Sequence, residues 1–98
     1  MSEWYVYILR CADNSLYTGV ATDLVARVST HNAGKGAKYT RGRRPVVLVY
    51  QEVVVDRAAA QRREAEIKRM PAEAKREFVR AHSGADNLSS KNGSGNLG

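Results

Sequence analysis

Residues Tyr5 to His31 read YVYILRCADNSLYTGVATDLVARVSTH, and the fold turns on how they divide. Trp4 to Leu9 is aromatic and β-branched, without Gly or Pro, and reads as a strand. It is apolar on both faces, which predicts the buried central strand of a small sheet. Ala12-Asp13-Asn14-Ser15 is a turn, because Asp and Asn bond their own main chain and tolerate a left-handed backbone. Leu16 to Val20 is then the return strand of a hairpin. A strict two-residue turn at Asp13-Asn14 would pair Arg10 with Tyr17 and send Tyr7 and Tyr17 to opposite faces. A shared face requires a three- or five-residue turn, or a bulge. Thr22 or Asp23 is placed to cap a helix whose apolar stripe is Leu24, Val25 and Val28. Arg27 and His31 lie one turn apart along the edge of that stripe, and Ala33-Gly34 ends the helix.

Working outward, Lys35 to Arg44 reads KGAKYTRGRR, with five cations and no acid, and is expected to be an exposed loop. Pro45 leads into a β-branched third strand, Val46 to Val54. Asp56 caps a second helix from Arg57 to about Met70, which Pro71 ends because the residue before proline disfavours α geometry. A third helix, about Ala72 to Ala81, carries Phe78 and Val79 inward. The remainder, SGADNLSSKNGSGNLG, is Gly/Ser/Asn-rich, has only Leu88 and Leu97 as sizeable apolar residues, and is expected to be a disordered tail. The division is thus a domain at 1–82 and a tail at 83–98. The pattern β-β-α-β-α-α predicts an α+β layout: a small three-stranded antiparallel sheet flanked by about three helices.

A chain of 98 residues is one domain at most, and 43% apolar residues suffice for a small core. The net charge of +6 and pI near 9.8 point to an anionic partner, nucleic acid being the commonest. A single cysteine, Cys11, rules out an internal disulfide framework and fits a reducing compartment. No run is long enough to span a bilayer, and MSEW lacks the basic-then-apolar layout of a signal peptide, so no membrane association and a cytoplasmic location are expected. One Cys and two distant His exclude a four-ligand zinc site; there is no P-loop and no serine or cysteine triad.

Each group able to carry chemistry has a plain structural reading beside the functional one. Ala60, Ile67 and Met70 mark the buried stripe of the second helix, and Glu64 lies on or beside it, where a carboxylate loses hydration unless a cation compensates. It either pairs with Lys68 at i,i+4 or serves as a Mg²⁺ ligand. Tyr7 and Tyr17 are core aromatics, or proton acceptors and water-positioners; a phenol near pKa 10 needs a nearby cation to act as a base at neutral pH. Arg27 is a surface residue, or the planar fork that holds a scissile phosphate. His31 is a helix-end residue favoured by the dipole, or a proton relay that orients a tyrosine. Lys35, Lys38, Arg41, Arg43 and Arg44 repel one another without a partner and are the candidate nucleic-acid contacts, fixing position on phosphates rather than reading bases.

Tyr5-Val6-Tyr7, followed ten residues later by Tyr17-Thr18-Gly19, resembles the paired tripeptides of GIY-YIG nucleases. Arg27 on the next helix, His31 one turn on and Glu64 on the helix after fit the same pattern, across roughly residues 4 to 80. HNAGKGAKYTRGRRPVVLVY and REAEIK resemble the small stand-alone bacterial members, the YhbQ-like group. The resemblance implies the GIY-YIG endonuclease fold and hydrolysis of phosphodiesters in DNA, with RNA left open, in repair or processing. It implies that Tyr7 and Tyr17 position and deprotonate water, without deciding which is the base. Arg27 would bind the phosphate, His31 would assist a tyrosine, and Glu64 would hold one Mg²⁺ or Mn²⁺. Tyr5 stands where the family has glycine; a strand can bear a side chain there, but Tyr5 could narrow access. The alternatives are a non-catalytic or weakly catalytic nucleic-acid-binding module, or an accessory subunit. The oligomeric state is not legible, and a monomer is assumed.

Overall fold

The computed structural model describes residues 3–87, with side chains through residue 82. In chain order the elements are β1 (Trp4–Arg10), β2 (Leu16–Ala21), α1 (Leu24–Asn32), α2 (Lys38–Arg41), β3 (Val47–Val54), α3 (Arg57–Lys68) and α4 (Ala72–Asn87). The three strands form one sheet in the order β2-β1-β3, antiparallel throughout. The two-faced apolar strand is therefore the central one, as its composition implies.

The hairpin turn settles the register. The Cys11 N–H donates to the Ser15 carbonyl (2.9 Å) and the Asn14 N–H to the Cys11 carbonyl (2.9 Å). Three residues thus loop out, and Asn14 takes the left-handed conformation, φ 69°, that this loop length demands. Arg10 pairs with Leu16 and Leu9 with Tyr17, so Tyr7 and Tyr17 share a face.

Each face of β1 buries its own cluster. Val6 and Ile8 pack with Ala60 and Ile67 beneath α3 and α4, with Phe78 and Val79 against them. Tyr7, Leu9 and Cys11 pack on the opposite face with Ala21 and Val46, under Leu24 and Val28 of α1. Fully burying one such aliphatic side chain contributes about 1.5–3 kcal/mol. On the first face Arg63 of α3 meets the Glu52 carboxylate of β3 (3.1 Å), which also accepts from the Tyr50 hydroxyl. Burial, then Glu52, pushes the Tyr50 phenol up to about 12.

Three expectations need correction. Val25 is 84% exposed; the buried stripe of α1 is Leu24, Val28 and His31, at i, i+4 and i+7. Lys35 to Arg44 is not wholly an exposed loop, since it contains α2 with Thr40 completely buried. That short helix raises the number flanking the sheet to four. The last helix does not stop near Ala81 but continues to Asn87, because extending a formed helix avoids the cost of a new nucleus. The proposed tail at 83–98 therefore begins as helix, and its remainder lies outside the described residues.

Candidate active site

The site grows from the β1–β2 pairing and the start of α1. Tyr7, at mid-strand in β1, is 1% exposed and lies opposite Gly19 of β2. A Cβ on Gly19 would stand 2.5 Å from the Tyr7 hydroxyl oxygen, so the phenol lies directly across that glycine's backbone. The second tripeptide needs its glycine because the tyrosine of the first occupies the space.

Helix α1 brings in His31. Asp23 caps it, its carboxylate accepting from the Ala26 N–H (3.1 Å). The last turn carries His31 under the sheet, where it is 1% exposed. Its Nε2 is 3.1 Å from the Tyr7 hydroxyl and its Nδ1 is 2.8 Å from Thr40 Oγ1. The loop backbone closes over the ring: a Cβ on Gly36 would sit 2.3 Å from Nδ1. Tyr17 completes an aromatic triangle, its ring centroid 6.4 Å from Tyr7 and 5.2 Å from His31. Tyr39 stacks on Tyr17 at 6.0 Å and receives the Arg43 guanidinium 4.0 Å from its centroid.

Arg27 is exposed and donates to the Val20 carbonyl (3.2 Å). Its guanidinium is close enough to act on both buried groups. Burial raises the Tyr7 pKa above its ordinary value, Arg27 opposes the rise, and the Tyr17 and Glu64 charges add to it. Burial, then Arg27, lowers the His31 pKa, so the imidazole is neutral at pH 7. Glu64 on α3 is thus near enough for its charge to reach the Tyr7 phenol. Its side chain is 23% exposed, and one oxygen meets Lys68 Nζ at 3.2 Å.

His31, Tyr17 and Arg27 therefore gather around Tyr7, while Glu64 acts on it through its charge and makes its i,i+4 pair with Lys68. The basic segment splits in two. Arg43 bonds Asp13 (3.0 Å) and the Tyr39 carbonyl (2.7 Å), tying α2 to the hairpin turn; the Ser15 hydroxyl and N–H, with help from Arg43, hold the Asp13 carboxyl below its usual range. Arg44 donates to the Arg41 carbonyl (2.9 Å) and the Asn32 carbonyl (3.3 Å), closing the end of α1. Lys35, Lys38 and Arg41 are exposed, and no ion pair involves them among the described residues. Sequence reasoning missed Thr40, Gly36 and Tyr39, which carry no spacing signal; Tyr39 alone stood out, as the one aromatic in a cationic run.

Residues 3–76 match the model of the GIY-YIG catalytic domain. The chain belongs to the GIY-YIG family. It is 65% identical to a UPF0213 protein of Staphylococcus haemolyticus over 69% of this chain and 83% of that one. A UPF0213 protein of Desulfotalea psychrophila is 51% identical over 80% of this chain and 72% of the relative. Among solved structures, the solution structure of a UPF0213 protein from Bacillus halodurans is similar with a TM-score of 0.58 at 42% identity, covering 91% of this chain and 95% of that one. A second solution structure, of an E. faecalis protein, gives 0.57 at 33% identity over 84% and 88% of the two chains. In this GIY-YIG domain the tripeptides are Tyr5-Val6-Tyr7 and Tyr17-Thr18-Gly19. No described helix is long and apolar enough to cross a membrane.

Proposed function

We propose that this GIY-YIG domain is a metal-dependent endonuclease that hydrolyses phosphodiesters in DNA, with RNA a second class of substrate. The observation that carries the reading is the buried contact between the Tyr7 hydroxyl and His31 Nε2 at 3.1 Å. Tyr7 is a poor base alone, because burial raises its pKa. With neutral His31 behind it, the phenol accepts a proton from water on its oxygen while its own proton passes to Nε2. That geometry favours Tyr7 over Tyr17 as the group that deprotonates the water. Tyr17, stacked on Tyr39 and tilted against His31, is left to position it. Arg27, at the rim, presents a planar fork to the scissile phosphate.

The donor set fits a loosely held Mg²⁺ or Mn²⁺. Among the described residues no three His, Cys, Asp or Glu side chains cluster as a preformed metal site. Mg²⁺ is commonly bound through one or two carboxylates, several waters and substrate phosphate, and Glu64 supplies one such carboxylate. When bound, the ion supplies charge stabilisation at the phosphate oxygens. Lys35, Lys38 and Arg41 hold the flanking backbone.

The Glu64–Lys68 pair favours a second reading, a nucleic-acid-binding module without cleavage, because it leaves Glu64 with a purely structural partner. A nicking assay on plasmid and branched DNA, with Mg²⁺ or EDTA, separates the two. Tyr7→Phe and Glu64→Ala are expected to keep DNA binding and lose metal-dependent nicking by about 10²-fold or more. Wild-type protein that binds with a steep salt slope but nicks nothing would establish the module instead.

A further inference from the structure

We propose that Thr40 is a positioning residue that locks His31 in the tautomer with its proton on Nδ1, so that Nε2 is kept bare to receive the Tyr7 proton. The proposal deepens the nuclease reading, but its central claim concerns a proton position in the resting protein.

The argument is a count of protons. Thr40 Oγ1 has two close polar neighbours, His31 Nδ1 at 2.8 Å and the Ala37 carbonyl at 3.0 Å. A hydroxyl has one proton, and a carbonyl only accepts. If the Thr40 proton goes to Ala37, Nδ1 must donate to Thr40. Nε2 is then the lone-pair nitrogen, and the Tyr7 hydroxyl donates to it at 3.1 Å. All three contacts are satisfied in one direction: Tyr7 to His31, His31 to Thr40, Thr40 to Ala37. The opposite tautomer spends the Thr40 proton on Nδ1, which sets the Thr40 and Ala37 oxygens 3.0 Å apart without a proton between them. It also points an Nε2 proton at Tyr7, whose own proton then loses His31 as acceptor.

Burial makes this choice consequential. His31 is 1% exposed and Thr40 0%, so a broken contact here is not replaced by bulk water. The loop excludes a substitute as well, because the Gly36 backbone closes on Nδ1. The Ala37 carbonyl is fixed in turn by the first turn of α2, where it also accepts the Thr40 N–H (3.1 Å). The short helix is thus a mount for one hydroxyl, which explains a buried threonine in a run otherwise rich in exposed cations.

The decisive measurement is the pair of imidazole nitrogen chemical shifts of His31 by NMR at neutral pH, in wild type, Thr40→Val and Thr40→Ser. The expectation is a protonated Nδ1 and bare Nε2 in wild type and Thr40→Ser. Thr40→Val, of nearly equal shape, should show Nε2 protonation or a mixture. In the nicking assay Thr40→Val should lower kcat by about 10- to 100-fold with KM little changed, and Thr40→Ser should restore it. A wild-type His31 protonated on Nε2 overturns the proposal whether or not the protein cleaves DNA. So does a Thr40→Val protein that keeps the proton on Nδ1. If the tautomers behave as expected and no variant nicks DNA, the positioning claim stands and the nuclease reading fails.

Discussion

At the scale of single residues, the site is a set of close approaches that glycine permits. Gly19 lies against the Tyr7 ring and Gly36 against the His31 ring, whereas a Cβ on Gly42 would meet nothing within 4 Å. Gly19→Ala should drive the methyl into the Tyr7 hydroxyl, and Gly36→Ala should push His31 off Thr40. Each is expected to cost about 1–3 kcal/mol of stability, as overpacking does, and to abolish nicking. Gly42→Ala should change neither by a measurable amount. Urea unfolding midpoints and the nicking assay check all three; equal behaviour of the three variants would show that the rings have room to move. These contacts also show what could be read beforehand. Tyr7, Tyr17, Arg27, His31 and Glu64 could be singled out as candidates because their chemistry and spacing together form an ordered pattern. Thr40 and Gly36 could not, since a hydroxyl facing one ring nitrogen leaves no periodic trace in a chain.

At the scale of elements, the hairpin was legible to the point of a condition: the tyrosines share a face only if an odd number of residues loops out, and three do. The segment from Lys35 to Arg44 was legible in its charge but not in its shape. Four-residue helices have almost no sequence signature, and α2 is held by the Thr40–His31 bond, by Arg43 on the Tyr39 carbonyl within it and by Arg44 on the Asn32 carbonyl at the end of α1. This division predicts different outcomes within one basic run. Neutralising Lys35, Lys38 and Arg41 together should leave the unfolding midpoint unchanged. It should reduce the slope of log K against log salt for duplex DNA by about 2–3, one contact each. Arg43→Ala should instead lower stability, because it leaves Asp13 and the Tyr39 ring without their cation. Anisotropy titrations over a salt series measure the first effect, and urea melts measure the second. An unchanged slope in the triple variant would move the DNA contact away from this segment.

At the scale of the whole molecule, the same burial that keeps His31 neutral ties the stability of the fold to pH. The central strand carries two cores, and His31 closes one of them from the side of α1. Its pKa is lowered by burial first and by Arg27 second. An unfolded histidine titrates near about 6.5, so below that pH the unfolded chain takes up a proton that the native protein resists. Stability therefore rises with pH across the window between the native and unfolded pKa values. It is fully present above about 6.5 and is lost as pH falls toward the lower native value. The other shifted groups act elsewhere: Asp13 is lowered from 3.8, Tyr5, Tyr7 and Tyr50 are raised from 10.0, Lys75 is lowered from 10.5, and Arg63 is raised. Urea midpoints measured at about pH 7.5, 6.5 and 5.5 should be level over the first step and fall over the second. His31→Gln, which keeps polar atoms but does not titrate, should flatten the fall even if it lowers every midpoint. A wild-type midpoint that stays level down to pH 5.5 would mean that the imidazole charges inside the fold without penalty. A proton could then rest on His31 before any arrives from Tyr7, and the relay would start from the wrong state.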